Sequence, residues 1–323
     1  MIIRNKKQIA AVIVTFNQNL EIFNLLISII SSQVDQIIIV NNSIANEFDA
    51  IESLNSPLVE RIDLNRNFGI AYAQNIGLQR ANNLGFEFVL LLDQDSIPEE
   101  KMVSKLYEAL TTCDPVENAI AAGASYRDRR TKKCSYFMLS KLGLLYRFKP
   151  SMKNNSAKVL KAAFLISSGM LISLPKLQLV GGMRSNYFID QVDTEWCFRA
   201  RKLGYSILGV PDAILEHAIG DRIQKIWFLY NRSVAYHAPL RDYYMFRNTI
   251  AMLRDTRMPI QSALFFVLSL LKFFCYFTIF SNDRKVRLKY MLLGLLHGIK
   301  KTDGKLNEGT KSCALIPATN LDP

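Results

Sequence analysis

The fold class of this chain is decided by one stretch, Phe88-Val89-Leu90-Leu91-Leu92-Asp93-Gln94-Asp95. Five apolar residues in a row predict a strand that is buried on both faces, as in the centre of a parallel sheet. Two carboxylates at the end of such a strand carry a large desolvation cost unless a cation or hydrogen-bond donors compensate it. The stretch therefore predicts a central strand with an acidic site at its carboxyl end.

The residues before this stretch alternate short apolar runs with amphipathic segments. They predict strands at Ile9–Val14, Gln36–Val40, Val59–Leu64 and Phe86–Leu92, separated by helices at about Leu20–Ser31, Glu47–Leu54 and Gly69–Leu84. This alternation indicates an α/β fold with a mostly parallel, Rossmann-like sheet flanked by helices. Ligands of such sheets bind at the carboxyl ends of the strands, so the residues after each strand are the candidates for a site.

Those residues are polar after all four strands. They are Thr15-Phe16-Asn17, Asn41-Asn42-Ser43, Asn65-Arg66-Asn67 and Asp93-Gln94-Asp95. One such set is commonly a helix cap, but four sets at one edge of a sheet predict a ligand site. Neither G-x-G-x-x-G nor G-x-x-x-x-G-K-[ST] follows the first strand, which argues against dinucleotide dehydrogenases and P-loop enzymes.

The acidic triplet is a candidate metal site. Asp93 and Asp95 would share a divalent cation bound to a diphosphate, because Mg²⁺ and Mn²⁺ prefer hard oxygen ligands. The alternative is that Asp95 or Ser96 caps a helix that starts at Ile97-Pro98-Glu99-Glu100, although capping leaves Asp93 unexplained.

A second acidic cluster lies at the start of a helix predicted at Asp193–Leu203. It consists of Asp190, Asp193 and Glu195. These carboxylates either stabilise the first turn of the helix or include a base that accepts the proton of an attacking hydroxyl. The pattern also predicts strands at Phe164–Ser173 and Tyr205–Val210, and a helical chain from Ile226 onward.

The charge of the chain points to an anionic partner, since 40 basic and 28 acidic residues give a net charge of +12. Seven basic residues follow the apolar run Ile260–Phe280: Arg284, Lys285, Arg287, Lys289, Lys300, Lys301 and Lys305. We expect this run to lie in a membrane interface or to pack on the domain, with the basic stretch Arg284–Lys289 at anionic headgroups, because Lys272 in its middle would cost a spanning helix about 2.5–3.5 kcal/mol. A buried core helix and a solvated basic helix face are the alternatives.

Cysteine usage and the N-terminus predict a cytoplasmic protein. The five cysteines are far apart and lack the C-x-x-C spacing of zinc and redox sites. A protein without a disulfide framework is expected in a reducing compartment. The N-terminal apolar run is interrupted by polar residues and lacks a small-residue cleavage site, unlike a signal peptide.

An ordered series of motifs runs from Ala10 to about Arg254. It consists of Val14-Thr15-Phe16-Asn17, Asn67-Phe68-Gly69-Ile70-Ala71-Tyr72-Ala73-Gln74-Asn75-Ile76-Gly77, Asp93-Gln94-Asp95, Ser167-Ser168-Gly169, Val192-Asp193-Thr194-Glu195-Trp196-Cys197, Glu216-His217-Ala218-Ile219-Gly220 and Pro239-Leu240-Arg241-Asp242-Tyr243-Tyr244-Met245-Phe246-Arg247-Asn248. The series resembles the inverting family 2 glycosyltransferases with the nucleotide-sugar-binding GT-A fold, most closely their bacterial rhamnosyltransferase branch. The acidic triplet alone is a weak motif, whereas the ordered series is specific.

The resemblance implies a donor site at the strand ends. The nucleotide sugar would be bound by Thr15, Asn17, Asn41, Asn67 and Asp93. Asp95 would bind the divalent cation, Mg²⁺ or Mn²⁺, with Asp93 and with His217, for which a purely structural role is the alternative. Where the family usually has Asp after the second strand this chain has Asn41, whose amide offers a different hydrogen-bond pattern to a base.

The resemblance also implies the reacting groups. Asp193 falls at the position of the family's catalytic base, and it follows Val192 where many relatives have Glu. Arg247 and Arg241 would neutralise the leaving diphosphate, because a guanidinium fits phosphate geometry. Their alternative role is ion pairing on a helix surface with Asp242 and Asp255, which are near in sequence.

These expectations combine into one function and one division of the chain. We expect a catalytic domain at 1–225, a helical membrane-associating region at 226–305 and a tail at 306–323. The resemblance implies a glycosyltransferase that moves a sugar, L-rhamnose from dTDP-rhamnose, to a hydroxyl of a lipid-linked saccharide in bacterial O-antigen or capsule biosynthesis. It would act at the inner face of the cell membrane, without a nucleic-acid partner.

Two other classes remain as alternatives at this point. A nucleotidyltransferase has a similar acidic metal site, but it needs a phosphate-binding loop rich in Gly and Lys after the first strand, and Thr15-Phe16-Asn17-Gln18-Asn19 does not supply one. A non-enzymatic basic protein that binds membranes or nucleic acid would show salt-sensitive binding with no need of the acidic residues.

Overall fold

The computed structural model describes residues 8–17, 19–43, 56–129, 134–150, 159–217, 222–226 and 232–306. The side chains of residues 217, 222–226 and 232–236 are not part of that description. The helix predicted at Glu47–Leu54 and nearly all of the predicted tail therefore lie outside the described residues.

The described chain contains thirteen strands and eight α-helices, and its last three elements are all helices. The strands are β1 (Ile9–Thr15), β2 (Gln36–Asn41), β3 (Val59–Asp63), β4 (Phe88–Asp93), β5 (Ile97–Pro98), β6 (Ala119–Asp128), β7 (Phe137–Lys141), β8 (Leu144–Phe148), β9 (Leu160–Phe164), β10 (Met170–Ser173), β11 (Ser206–His217), β12 (Arg222–Ile226) and β13 (Arg232–Tyr236). The helices are α1 (Leu20–Ile30), α2 (Ile70–Asn83), α3 (Met102–Thr111), α4 (Leu174–Val180), α5 (Val192–Lys202), α6 (Pro239–Asp255), α7 (Ile260–Phe280) and α8 (Arg284–Lys300).

One mixed sheet organises the fold, in the order β3-β2-β1-β4-β10-β6-β11-β9-β7-β8, with β5 paired to β11. Strands β1 to β4 are parallel to one another, as predicted. Strand β10 runs antiparallel to both β4 and β6, and β9, β7 and β8 extend the sheet as antiparallel strands. The α/β fold with a helical C-terminal extension is confirmed, and its parallel part is the part that carries the polar strand ends.

The sheet is buried on both faces, which explains the continuous apolar runs. All seven residues of β1 are buried. Val12 belongs to a hydrophobic cluster with side chains of α2, α4 and α5, whereas its neighbour Ile13 belongs to a cluster with α1 and α3. Each fully buried aliphatic side chain of this kind contributes roughly 1.5–3 kcal/mol. The central strands are thereby held between two helical layers.

Long-range strand pairing overturns two local predictions. The segment predicted to begin a helix at Ile97-Pro98-Glu99-Glu100 instead forms β5 against Leu215 and Glu216 of β11. The Glu99 N–H also donates to the Ile214 carbonyl at 3.0 Å, so the helix begins only at Met102. The single strand predicted at Phe164–Ser173 is two strands, β9 and β10, which pair with different partners.

The prediction of a helical chain from Ile226 is also wrong. Strands β12 and β13 pair antiparallel as a separate two-stranded sheet, and the helices begin at Pro239. Proline is well suited to the first turn of a helix, where its missing N–H costs no hydrogen bond. Helices α6, α7 and α8 then pack together through Phe246, Leu270, Phe277 and Met291.

Helix α7 lies on the surface of the protein. Among the described residues it is the one helix long and apolar enough to cross a membrane, and only 17% of its most apolar 18-residue window is buried. Phe266 anchors it 6.0 Å from Phe164 and 5.8 Å from Phe198, measured between ring centres. Leu264 and Leu271 are 56% and 55% exposed. The alternative of a buried core helix is therefore wrong.

Candidate active site

The carboxyl ends of four strands lie side by side. Thr15 of β1 is in register with Asn41 of β2, and Asn41 is in register with Asp63 of β3. On the other side of β1, Val14 is in register with Asp93 of β4. The prediction that the polar strand ends converge on one edge of the sheet is confirmed.

The loop after β1 is fixed by the acidic triplet. Thr15 is fully buried, and its Oγ1 atom has no hydrogen-bond partner among the described residues. Asn17 is exposed and has a left-handed backbone, with φ at 49°. Gln94 accepts a hydrogen bond from the Phe16 N–H at 2.7 Å and donates one to the Phe16 carbonyl at 3.0 Å. Two hydrogen bonds thus tie the end of β4 to the loop after β1.

Asn41 has a carboxylate beside it. Its Nδ2 donates to Asp63 Oδ1 at 2.8 Å, and Arg61 Nε donates to the same oxygen at 2.8 Å. The Oδ1 atom of Asn41 accepts from the backbone N–H and the hydroxyl of Ser43, at 3.2 and 2.7 Å. A carboxylate from the end of the third strand therefore lies beside Asn41. The available signal was an acidic residue near the end of the predicted strand Val59–Leu64.

Asn67 shapes the turn into α2. Its Oδ1 accepts from Asn42 Nδ2 at 3.2 Å and from the Gly69 N–H at 2.9 Å. Asn42 in turn accepts from the Phe68 N–H at 2.8 Å. Asn67 lies at the predicted edge, and its carbonyl oxygen is used within the protein.

A turn on the far side of β4 holds the acidic triplet. Ser168 Oγ accepts from the Asp93 N–H at 2.9 Å and lies 2.7 Å from Ser96 Oγ. Gly169 completes the turn with φ at 72°, and a Cβ there would lie 2.9 Å from Leu215. Glycine is required at this position because other residues would be both strained and crowded.

Asp93 and Asp95 fit one half of a magnesium or manganese site. Both are partly buried at the sheet edge and provide hard carboxylate oxygens. Within the described residues no three His, Cys, Asp or Glu side chains are grouped around a metal position. This suits Mg²⁺, which proteins commonly hold with one or two carboxylates while substrate phosphates and water complete the shell. His217 ends β11, but its side chain lies outside the described residues, so its metal role stays a prediction.

Asp193 lies in the first turn of α5 and is partly buried. Its Oδ2 accepts from the Ser167 N–H at 3.0 Å, and its Oδ1 accepts from the Thr194 N–H at 2.7 Å. Burial raises the pKa of Asp193 above its ordinary value, these hydrogen bonds oppose the rise, and the negative charge of Asp190 adds to it. A raised pKa makes a carboxylate a stronger base, which suits proton acceptance from a hydroxyl.

The two acidic sites are close to each other. The buried Tyr126 hydroxyl donates to the Ser168 carbonyl. The pKa of Tyr126 is raised by burial and then by the negative charges of Asp93 and Asp193, so both carboxylates act on one side chain. The turn at Ser167 and Ser168 therefore contacts Asp193 on one side and the acidic triplet on the other.

The other two carboxylates of the second cluster are neutralised. Glu195 is fully buried, 2.9 Å from Arg184 Nε and 3.0 Å from Arg199 Nη2. Asp190 accepts from Arg241 at 2.5 and 3.2 Å. Asp193 is the member of the cluster without an ion pair to any residue that the structure describes. It is therefore the best placed of the three to accept a proton.

The two predicted diphosphate arginines bind protein groups. Arg247 is buried, and it donates to the carbonyls of Gly304 at 2.5 Å, Asn186 at 3.1 Å and Tyr187 at 2.8 Å. Arg241 pairs with Asp190 and not with Asp242, because Asp242 is taken by Arg287 at 2.8 Å. A role for either arginine toward a diphosphate stays a prediction.

Comparison with known proteins identifies the family. Residues 10–172 match the family described as Glycosyl transferase family 2. The chain is 32% identical over 306 residues to a dTDP-rhamnosyl transferase, RfbF, of Shigella flexneri, covering 92% of this chain and 97% of that relative. A nucleotidyltransferase or a non-enzymatic basic protein is inconsistent with this membership.

Solved structures share the fold at low sequence identity. GalNAc-T7 with UDP, GalNAc and Mn²⁺ superposes with a TM-score of 0.57 at 12% identity, over 92% of this chain and 57% of that one, so this chain spans just over half its length. The S. aureus TarS 1-349 complex with UDP-GlcNAc gives 0.56 at 12% identity, over 90% and 81%. With its GT-A fold and its extended similarity to a rhamnosyltransferase, the chain belongs to the family 2 glycosyltransferases.

Proposed function

We propose that this chain is an inverting rhamnosyltransferase that moves L-rhamnose from dTDP-rhamnose to a hydroxyl of a lipid-linked saccharide. The observation that carries the proposal is the turn that holds Asp93 through Ser168 and Asp193 through Ser167. One rigid turn between a donor-binding carboxylate and a base sets the distance on which a single displacement depends. The similarity to a dTDP-rhamnosyl transferase supports the choice of donor.

The strand ends would bind the nucleotide. Thr15 has a buried hydroxyl with no hydrogen-bond partner among the described residues, and such a group needs a ligand or water to satisfy it. Asn41 and Asn17 lie beside it at the same edge and would contact the base and ribose, with Asn67 shaping the adjoining turn. Asp93 would face the ribose or the sugar. The diphosphate would then lie near Asp95.

The reaction is a single displacement at the anomeric carbon. The acceptor oxygen attacks the face opposite to the diphosphate, and the bond from that carbon to the phosphate oxygen breaks with its electron pair on the diphosphate. The hydroxyl proton passes to a carboxylate oxygen of Asp193, and the anomeric configuration inverts. A divalent cation held by Asp93 and Asp95 would supply charge compensation for the departing dTDP.

The C-terminal helices support a membrane location and a lipid-linked acceptor. We propose that α7 and α8 rest on the anionic inner surface of the cell membrane, where the enzyme meets lipid-linked intermediates of O-antigen or capsule. Exposed apolar side chains on both helices support this, as do exposed lysines on α8: Leu264, Val267, Leu268, Leu271, Leu292, Leu296, Lys285, Lys289 and Lys300. Apolar burial and lysine attraction to acidic lipids act together in such contacts.

A donor panel tests the reaction. Purified protein with Mg²⁺ or Mn²⁺ is offered dTDP-rhamnose and several UDP-, GDP- and dTDP-linked sugars, with membrane lipid extract as the acceptor source. We expect release of nucleoside diphosphate and formation of a glycoside of inverted configuration with dTDP-rhamnose alone. Turnover of another donor, or retention of configuration, would contradict the proposal.

Vesicle sedimentation tests the membrane contact. We expect binding to vesicles that contain phosphatidylglycerol and weaker binding to phosphatidylcholine alone. Replacing Leu264, Leu268 and Leu271 with Ser should release the protein, because these exposed side chains support binding and contribute little to folding. Leu179→Ser is the matched control, since Leu179 is 72% exposed on α4. Equal sedimentation of both variants would place the membrane contact elsewhere.

A further inference from the structure

The loop that leads into α5 has a strained backbone. Phe188, Asp190 and Gln191 have φ angles of 64°, 67° and 62°, a region that residues with a side chain rarely adopt. Three such residues within four positions persist only where the surroundings impose them. Because Asp193 follows two positions later, the path of this loop decides where its carboxylate lies.

Helix α6 imposes that path through one side chain. Asn248 Nδ2 donates to the carbonyls of Tyr187 at 2.9 Å, Ile189 at 2.7 Å and Asp190 at 2.9 Å. The carbonyl between them, that of Phe188, accepts from the Ile70 N–H at 2.7 Å. Four successive carbonyls of the loop are thus held by groups outside it.

The other side of the loop has no room to move. Gly69 precedes α2 with φ at 92°, and a Cβ on it would lie 2.5 Å from the Phe188 carbonyl oxygen. A glycine is therefore required where α2 meets the loop. The Phe188 ring stacks on Tyr244 of α6, with 5.0 Å between ring centres.

Asn248 is itself held in place. It is fully buried, and its Oδ1 accepts from Arg247 Nε at 2.9 Å. Arg247 Nη1 donates to the Gly304 carbonyl at 2.5 Å, and the Gly304 N–H donates to the Asn186 carbonyl at 2.8 Å. The segment after α8 therefore returns to the same loop. The amide of Asn248 is thus held by protein groups, as a positioning group needs to be.

We propose that Asn248 is a positioning residue for glycosyl transfer: its amide holds carbonyls 187, 189 and 190 and so places the Asp193 carboxylate against the donor site. This rests on the proposed function, in which Asp193 accepts the acceptor proton. Without the amide, the carbonyls of Ile189 and Asp190 lose the side-chain donor that holds them, while that of Tyr187 keeps Arg247, and the loop relaxes toward ordinary φ angles. The Asp193 contact with the Ser167 N–H then loosens, and a misplacement of about 1 Å is enough to lower a rate about 100-fold.

The test compares Asn248→Ala with a matched asparagine. Asn75 on α2 donates to the Met183 carbonyl at 2.7 Å and to Ser185 Oγ at 3.1 Å, and accepts from the Met183 N–H at 2.7 Å. It fixes the chain just before the loop without touching carbonyls 187 to 190. Asn75→Ala thus removes a similar set of hydrogen bonds away from Asp193.

Both variants are assayed with dTDP-rhamnose below their melting temperatures, and dTDP binding is measured by calorimetry. We expect Asn248→Ala to lower kcat about 10–100-fold while the Kd and stoichiometry of dTDP stay within about twofold of wild type. Asn75→Ala should lose comparable thermal stability but keep kcat within about threefold. Adding Gln191→Gly to Asn248→Ala should recover part of kcat, because glycine adopts the required φ without strain.

The outcomes separate the positioning role from the proposed function. A kcat for Asn248→Ala equal to that of Asn75→Ala overturns the positioning role, as does a loss of kcat that follows a loss of dTDP-binding stoichiometry. If Asn248→Ala does not fold, Asn248→Ser, which keeps one donor, is judged by the same comparison. Wild-type protein that transfers no rhamnose contradicts the proposed function instead, and normal turnover by Asp193→Asn contradicts the assignment of the base within it.

Discussion

The two sides of the active site are built by different means. On the donor side, Thr15, Asn41 and Asp63 stand in register at the ends of parallel strands, and the ladder of the sheet sets their positions. On the base side, Asp193 follows an irregular loop held by the side chains of Asn248 and Arg247. Many backbone hydrogen bonds hold the donor side in position, whereas only a few side chains hold the base side. Single substitutions should therefore disturb catalysis more readily than donor binding.

The largest effect is expected at Asp193. Asp193→Asn keeps the shape of the side chain but removes its basicity, so kcat should fall about 10²–10⁴-fold while dTDP binding survives. Steady-state kinetics and calorimetry on the same preparation measure the two quantities. Asp190→Asn is the control, because Asp190 is paired with Arg241. Near-normal turnover by Asp193→Asn with an inactive Asp190→Asn would move the base to Asp190.

The donor side is the part that a sequence reading predicts best. Strands β1 to β4 and helices α1 and α2 lie within one or two residues of their predicted bounds, because the apolar pattern there reflects burial on two faces of the sheet. The local sequence pattern fails to predict a strand where the pairing strand is distant in sequence. Ile97 and Pro98 have the sequence of a helix start, yet strand β11, more than a hundred residues away, pairs with them.

The base side shows the same limit more strongly. The ordered motif series points to Asp193, but nothing in the series indicates that Asn248 binds three carbonyls. A hydrogen bond between α6 and a loop about 60 residues away leaves no periodicity in the sequence. The sequence does not single out Asp63 for a related reason, because its contact with Asn41 depends on the register between β2 and β3. Site roles that depend on tertiary contacts need the structure.

An ion pair between α6 and α8, the helices next to the base side, should contribute strongly to the free energy of unfolding. Arg287 of α8 and Asp242 of α6 form a buried ion pair at 2.8 Å, 0% and 2% exposed. Arg287→Met leaves Asp242 buried without its partner, which is expected to cost about 3–5 kcal/mol of unfolding free energy. Urea unfolding measures this. Adding Asp242→Leu should restore part of the loss, and an additive double variant would contradict the pairing.

The same variant has a pH signature. Burial raises the pKa of Asp242 to about 6 even though Arg287 lowers it, so removing Arg287 should raise it further. A carboxyl whose folded pKa exceeds its unfolded pKa binds protons more readily when folded. The unfolding free energy of Arg287→Met should therefore fall as the pH rises from the unfolded pKa of an aspartate toward the raised folded pKa of Asp242. The variant should be least destabilised in acid. A larger deficit at low pH than at neutral pH would contradict this.

On the donor side, dTDP binding should depend on the proposed metal ligand Asp95. Asp95→Ala removes a proposed ligand at a loop, so Mg²⁺-dependent dTDP affinity should fall by at least about 100-fold, because losing a residue that only supports a metal ligand already costs about 10–100-fold. Gln94→Ala is the matched neighbour: it breaks two hydrogen bonds to Phe16 and should weaken dTDP binding equally with and without Mg²⁺. Calorimetry showing the same metal dependence in Asp95→Ala as in wild type would remove Asp95 from the metal site.

The smallest expected effect is a shift, in Asp190→Asn, of the acid limb of the pH profile of kcat. Asp193 must be unprotonated to accept a proton, so kcat should rise with pH through the pKa of Asp193, which burial raises above that of a free carboxyl. The charges that bear on this group come from Asp190 in the loop, with Tyr126 and Cys197 also within electrostatic range. Asp190→Asn removes a like charge, so the limb should move to lower pH.

A charge removed elsewhere is the control for this shift. Asp255 is paired with Arg254 and Arg184 at the end of α6, and Asp255→Asn changes the net charge by the same amount without acting on Asp193. Its acid limb should coincide with that of wild type in assays at saturating donor and acceptor. A limb that stays in place in Asp190→Asn, or that moves equally in both variants, would mean that the group titrating in kcat is not Asp193. A limb that moves only in Asp190→Asn would tie the rate to the carboxylate whose position the loop determines.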